Sequence, residues 1–193
     1  MKNRKLLICL AITLALAVVV VVAGTFEWGM FRQGPQRRGA TDSPLRPPIS
    51  IKWTFEAEGP IYSSPVVSAG LIYIGSRDNR IYAIDIKTGL KKWSYETGGW
   101  VDSTPLVYKG KVFVPSRDGG MYALNALNGQ PAWKENVGGT HCSSPIVHDN
   151  KVIFGAGSPG KFVVALDIDT GKEVWRYETT QMVYSSPAIF NNT

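Results

Sequence analysis

The chain is 193 residues long, enough for one domain or part of a larger one, and its 44% hydrophobic and 19% charged residues exclude a disordered protein. Six Trp, eight Tyr and 20 Gly favour strands joined by many turns. The formal charge of +6 does not mark a nucleic-acid-binding protein: Lys2, Arg4 and Lys5 precede the first apolar run, and removing them leaves 18 basic against 15 acidic residues, or +3. Part of that excess (Arg32, Arg37, Arg38 and Arg46) is one short stretch, and the rest alternates in sign as a solvated surface does.

Residues 1–5 are basic and residues 6–23 form an unbroken apolar run, the layout of a secretory leader. Val21 and Ala23 are small enough to precede a cleavage ahead of Gly24. The same run reaches about 27 Å as a hydrophobic helix, close to the thickness of a bilayer core. Residues 1–23 are therefore either a signal peptide or a retained membrane anchor, and both readings export the rest to a periplasmic or other extracytoplasmic location. Cys9 lies too early in the run for a lipoprotein cysteine, and with the leader removed Cys142 has no partner within the chain. Residues 24–50 read as an opening segment and linker, and residues 51–193 as a repeated β domain.

The repeat is explicit. Trp53, Trp93, Trp133 and Trp175 are spaced by 40, 40 and 42 residues, and so are Pro65, Pro105, Pro145 and Pro187. Each proline follows a hydroxyl pair: Ser63-Ser64, Ser103-Thr104, Ser143-Ser144 and Ser185-Ser186. The segments AIDIKTGLKKW (83–93), ALNALNGQPAW (123–133) and ALDIDTGKEVW (165–175) match one another. The first unit parses into strands at Tyr62–Ser68, Leu71–Gly75, Arg80–Ile86 and Leu90–Glu96, short apolar runs divided by turn residues. No part of the body carries a helical period with caps. Four strands in about 40 residues is one β-propeller blade.

The matching segments have a physical logic. Ala83, Ala123 and Ala165 leave room for a neighbouring sheet. Asp85, Asn125 and Asp167 can accept hydrogen bonds from turn amides. Gly89, Gly129 and Gly171 permit positive φ or close approach, and the indoles offer large flat surfaces to pack between sheets.

The pattern Ala-x-Asp-x-x-x-Gly-x-x-x-Trp resembles the tryptophan-docking motif of the PQQ-like (quinoprotein) repeat family, and Trp28-Gly-Met-Phe-Arg-Gln-Gly34 is similar to the opening of many such proteins. The resemblance, over residues 28–193, implies an all-β, partial β-propeller of four-stranded antiparallel blades. Blade one is expected at 51–96, blade two at 97–136 and blade three at 137–178, with a fourth begun at 181–190. That is about three and a half of the seven or eight blades such rings hold, which would need roughly 280–320 residues. The expectation is thus a truncated ring.

Three groups invite a chemical reading. Gly155-Ala-Gly157-Ser-Pro-Gly160 matches a dinucleotide fingerprint, but Phe162–Asp167 continues as strand rather than helix, so the segment is a turn. Asp167-Ile-Asp169-Thr-Gly171 has Lys172 where a calcium loop needs its sixth-position glycine, and is also a turn. Asp102, His141 and Cys142 fall near each repeat's first strand and are the candidates for the mouth of the central channel, although adjacent His141 and Cys142 on a strand diverge. No catalytic residue and no metal site are read from the sequence.

The family holds scaffolds, among them the propeller subunit of the outer-membrane β-barrel assembly machinery, as well as dehydrogenases. Short uniform blades without insertions point to a non-catalytic, protein-binding scaffold, engaging a protein partner through blade loops or edge strands, with the membrane contacted through residues 6–23 if that run is kept. The alternative is a PQQ- and Ca²⁺-dependent alcohol or sugar dehydrogenase. Such members are expected to carry a catalytic Asp, Asn and Glu calcium ligands, and often an adjacent-cysteine disulfide; no Cys-Cys pair is present here.

Overall fold

The computed structural model describes residues 29–32, 50–139 and 142–190. The apolar run 6–23, most of the opening segment and His141 lie outside the described residues.

The body consists of three four-stranded sheets, each a simple meander in the order of the chain. Sheet one holds β1 (Val66–Ser68), β2 (Leu71–Gly75), β3 (Arg80–Asp85) and β4 (Lys91–Glu96). Sheet two holds β5 (Leu106–Tyr108), β6 (Lys111–Pro115), β7 (Gly120–Asn125) and β8 (Pro131–Asn136). Sheet three holds β9 (Ile146–His148), β10 (Lys151–Ala156), β11 (Phe162–Asp167) and β12 (Glu173–Glu178). All pairings are antiparallel, and no helix occurs among the described residues. The strand period and turn residues of the repeat account for this architecture, and the sheets are the propeller blades that the spacing implies.

Blades pack face to face through two apolar layers. Tyr73, Ile81, Ala83 and Trp93 of blade one meet Val112, Val114, Tyr122 and Leu124 of blade two. Phe113, Met121 and Ala123 of blade two meet Val152, Phe154, Val164 and Leu166 of blade three. The strand period of two explains the division: alternate residues of each strand serve opposite neighbours.

The indoles wedge these layers. Trp93 donates its Nε1 proton to the Ala126 carbonyl (3.0 Å), Trp133 to Ile168 (3.1 Å) and Trp53 to Ile86 (3.1 Å). Each ring lies on the turn glycine of the following blade: a Cβ added to Gly89, Gly129 or Gly171 would come within 2.6 Å of Trp53, Trp93 or Trp133. Those glycines also sit at φ of +74°, +73° and +75°, so the residue is required twice over. Asp85 Oδ1 accepts from the Lys87 and Thr88 amides, Asn125 from Leu127 and Asn128, and Asp167 from Asp169 and Thr170. These are the turn functions expected of them. A bulge follows Ala83, Ala123 and Ala165, each of which sits opposite its own blade's tryptophan.

The third and fourth strands of blade one each lose one residue relative to the sequence reading, ending at Asp85 and beginning at Lys91, and two further boundaries differ more. The first strand begins at Val66 rather than Tyr62, because Pro65 has no amide to give a ladder and the Ser64 amide is turned to the next blade. Residues 51–58, read as part of blade one, pair with no strand of its sheet. They carry Trp53 onto its face from outside, as β4 carries Trp93 onto blade two. This segment is the counterpart of an outermost strand, one blade earlier.

Gly157–Lys161 is the turn between β10 and β11, and 168–172 the turn between β11 and β12, as expected for both glycine-rich and acidic segments.

Candidate functional site

In a meander, the β2–β3 turn lies at the same end of the blade as the connection leading to the next blade. At this end the sequence Ser-Arg-Asp occurs twice, at 76–78 and 116–118. The turns are stitched to the connections: the Arg77 amide donates to Pro60 O (3.0 Å), Val101 to Ser76 O (3.1 Å) and Arg117 to Trp100 O (2.9 Å).

This stitching converges two guanidinium groups on Asp102. Arg77 donates from Nε to Oδ1 (2.9 Å) and from Nη2 to Oδ2 (3.2 Å), the two-pronged geometry its planar fork favours. Arg117 Nε stands 2.8 Å from Oδ2. The Asp102 side chain is 8% exposed, whereas those of Arg77 and Arg117 are 26% and 35% exposed. The Arg77 guanidinium is pushed above its ordinary pKa, first by the hydrogen bond to Asp102.

Aromatic rings hold the guanidinium groups from the outside. Arg77 Cζ lies 3.8 Å from the Tyr62 ring centre and 4.5 Å from that of Trp100, and Arg117 Cζ lies 5.2 Å from Trp100. Tyr62 and Trp100 remain exposed at 63% and 42%. Cys142, half-buried, occupies the repeat position of Tyr62 and Asp102 and is near enough to influence Arg77 electrostatically.

The aspartates of the two turns serve the blades instead. Asp78 accepts from the Tyr82 hydroxyl at 2.6 Å, and burial followed by this bond pushes that phenol up to about 12. Asp118 accepts from Tyr122, Gly120 N and Lys134 Nζ. Burial pushes its carboxyl up, but these donors outweigh it and bring the pKa down to about 2.

Nearer the axis, the repeated hydroxyl pairs form a chain between blades. The Ser64 amide donates to Thr104 Oγ1 (3.3 Å), the Thr104 amide to Ser144 Oγ (3.1 Å), and the Ser144 amide to Ser186 Oγ (2.9 Å).

Of the residues selected from sequence, Asp102 forms the centre of the cluster and Cys142 borders it, while His141 lies outside the described residues. The sequence reading missed Arg77, Arg117, Trp100 and Tyr62; the repeated Ser-Arg-Asp turn was the signal available. Chemically, Asp102 has its oxygens turned onto two guanidinium groups, which makes it a brace for the arginines rather than an accessible base. Two guanidinium groups fixed beside two exposed rings form the kind of surface that anchors a protein partner.

Fold, register and indole docking define a β-propeller of tryptophan-docked blades. Residues 50–188 match the family described as outer membrane protein assembly factor BamB, and the chain belongs to this PQQ-like repeat family. No curated protein matches the sequence. Among solved structures, BamB from Moraxella catarrhalis is similar with a TM-score of 0.60 and 26% identity, covering 67% of this chain and 41% of that one. Quinohemoprotein alcohol dehydrogenase ADHIIG from Pseudomonas putida HK5 is similar with a TM-score of 0.57 and 29% identity, covering 65% of this chain and 21% of that one. The Comamonas testosteroni quinohemoprotein alcohol dehydrogenase shares the fold, with a TM-score of 0.66 and 24% identity over 79% of this chain and 27% of its own. The aligned region therefore spans less than half of each of these proteins.

Proposed function

We propose that this chain is an exported, non-catalytic propeller scaffold that binds a protein partner in cell-envelope assembly, and that the partner docks on Tyr62, Arg77, Trp100 and Arg117. One observation carries the reading: Arg77 is held between exposed aromatic rings and a nearly buried carboxylate, an arrangement whose outer surface is left to solvent. Pre-set guanidinium groups and rigid rings lose little side-chain freedom on binding, which is why such groups dominate interface energies. Membership of the family named for outer membrane protein assembly supports the envelope setting.

The runner-up, a quinone- and calcium-dependent dehydrogenase, rests on the similarity to the two alcohol dehydrogenases. Two observations favour the scaffold over it. No three His, Cys, Asp or Glu side chains among them come together to hold a metal ion, and Asp102 is taken by two arginines.

The test is photocross-linking in the intact envelope from probes at position 100 and, at the opposite end of the blades, position 127. A discrete adduct from Trp100 but not Leu127, lost on Arg77→Glu, is expected. Equal adducts from both positions would refute the surface. Dye-linked alcohol oxidation appearing on addition of PQQ and Ca²⁺, and abolished by chelation, would favour the dehydrogenase.

A further inference from the structure

The two ends of the blades differ in charge. The end opposite the arginine cluster is formed by the β1–β2 and β3–β4 turns and their counterparts in the later blades. In blades one and two these turns and the strand residues beside them carry Lys87, Lys91, Lys92, Lys109 and Lys111, with Asp85 as the single acid. Lys111 is drawn aside to Asp169 of blade three (2.6 Å), which leaves four exposed lysines against one carboxylate. Blade three is the reverse, with Asp149, Asp167, Asp169 and Glu173 against Lys151 and Lys172. The basic surface is therefore confined to blades one and two.

Two leucines stand among these lysines. Leu90 in the β3–β4 turn is 67% exposed, and Leu127 in the β7–β8 turn 72%. Leu127 belongs to the middle blade, which has a neighbour on both faces, so its exposure is a property of the blade end and not of an uncovered face. It lines a cleft of about 380 Å³ with Leu71, Asp85, Lys87 and Lys92 of blade one. Cations around exposed aliphatic side chains match an anionic bilayer surface, which offers phosphates to the first and acyl chains to the second.

The opening segment brings the membrane to the same end. Val107 of β5 donates to Gly29 O (2.7 Å), and Met30 packs on the core layer between blades two and three. Ala23, the last residue of the apolar run, precedes Gly29 by six positions, a reach of at most about 21 Å. The headgroup layer takes about 6 Å of that reach and leaves about 15 Å. The lysine-bearing turn at 109 is two residues from Val107, about 7 Å along the strand. The arginine end is five residues away, from Val112, which pairs with Val107, to Arg117, or about 17 Å. With residues 6–23 in a bilayer, the reach suffices for the lysine end and falls short for the arginine end.

We propose that the lysine-bearing end of the propeller docks on an anionic phospholipid surface, with Lys87, Lys92 and Lys109 on lipid phosphates and Leu90 and Leu127 entering the boundary between headgroups and acyl chains. The proposal rests on the reading that the apolar run is kept and the body exported. It goes beyond that reading in fixing which end meets the lipid, and it turns Arg77, Trp100 and Arg117 away from the membrane, toward an approaching partner.

The test uses the full chain in vesicles of equal parts phosphatidylglycerol and phosphatidylcholine, with an environment-sensitive fluorescent residue at position 127 or at position 100. A blue shift and quenching by spin-labelled lipid are expected at 127 and not at 100. Vesicles of phosphatidylcholine alone are expected to leave both positions unquenched. Each lysine near an anionic surface strengthens attachment about fivefold. Lys87→Glu combined with Lys109→Glu is therefore expected to lower the ratio of docked to undocked body by about twenty-five-fold or more, with circular dichroism checking the fold. Quenching equal at the two positions, absent at 127, or indifferent to lipid charge and to both lysines would overturn the proposal. The underlying reading is checked apart from the vesicles. Protease added to spheroplasts is expected to digest the body, and untreated chain extracted from the membrane to keep its full mass of 21.1 kDa. A protected body, or one cleaved after Ala23, would refute that reading and the docking with it, whereas a digested, full-mass chain with an unquenched probe would refute the docking alone.

Discussion

Trp93→Ala measures what an indole wedge contributes. Trp93 is 9% exposed, packs on Tyr73 at 5.8 Å between ring centres, rests on Gly129 and donates to Ala126 O. Removing a buried Trp side chain costs about 3–5 kcal/mol through lost burial and the cavity left behind. The hydrogen bond adds little, because Ala126 O keeps a second donor, the Tyr73 hydroxyl at 3.0 Å. The expected loss is therefore about 4 kcal/mol. Trp175 occupies the same repeat position but is 40% exposed and meets no following sheet, so Trp175→Ala is expected to change stability by less than about 1 kcal/mol in the monomer. Urea unfolding at concentrations where the chain is monomeric, followed by circular dichroism, compares the two. If they destabilise equally, the indole acts within its own sheet and the account of blade docking is wrong.

Three further outcomes follow from the geometry. Gly129→Ala meets both positive φ and the Trp93 ring, and is expected to cost more than Gly110→Ala, where φ is +72° but nothing lies within 4 Å of the added Cβ; the latter should cost about 1 kcal/mol from backbone strain alone, and equal costs in thermal unfolding would refute the close approach. Ser144→Ala leaves the buried Thr104 amide without its acceptor and is expected to cost about 1–3 kcal/mol, with faster hydrogen exchange at that amide; unchanged exchange would dissolve the inter-blade chain. Asp118, brought from 3.8 to about 2, contributes stability that is complete above pH 4 and disappears as the pH falls through 2. This amounts to about 2 kcal/mol, so Asp118→Asn should lower stability at pH 7 and flatten its decline between pH 4 and 2.

The blades were legible in sequence because their determinants are local and repeated. The indole, the turn glycine and the Asx side chain of each unit lie within eleven residues of one another, and each imposes a visible residue type. The cluster was less legible. Arg77 and Asp102 lie 25 positions apart in different blades, and only the fold shows that a turn and a connection share one end of the sheet. The hydroxyl pairs were conspicuous, but their role was hidden because the acceptor of each amide comes from the following unit. The same non-local bond explains the shorter first strand: the Ser64 amide faces Thr104, and Pro65 has none. Residues 51–58 resemble β4 so closely that sequence alone attached them to the nearest blade, and only their missing ladder reveals that they cap it.

The inner hydroxyl chain and the indoles point the same way along the polypeptide. Ser64 depends on Thr104, Thr104 on Ser144, Trp93 on Ala126 and Trp133 on Ile168. In every case the earlier unit donates and the later one receives. During synthesis a newly emerged blade therefore has its ladders but neither its inner hydroxyl bond nor its wedge until the next forty or so residues arrive. Maturation proceeds like a zip that locks one tooth behind the slider.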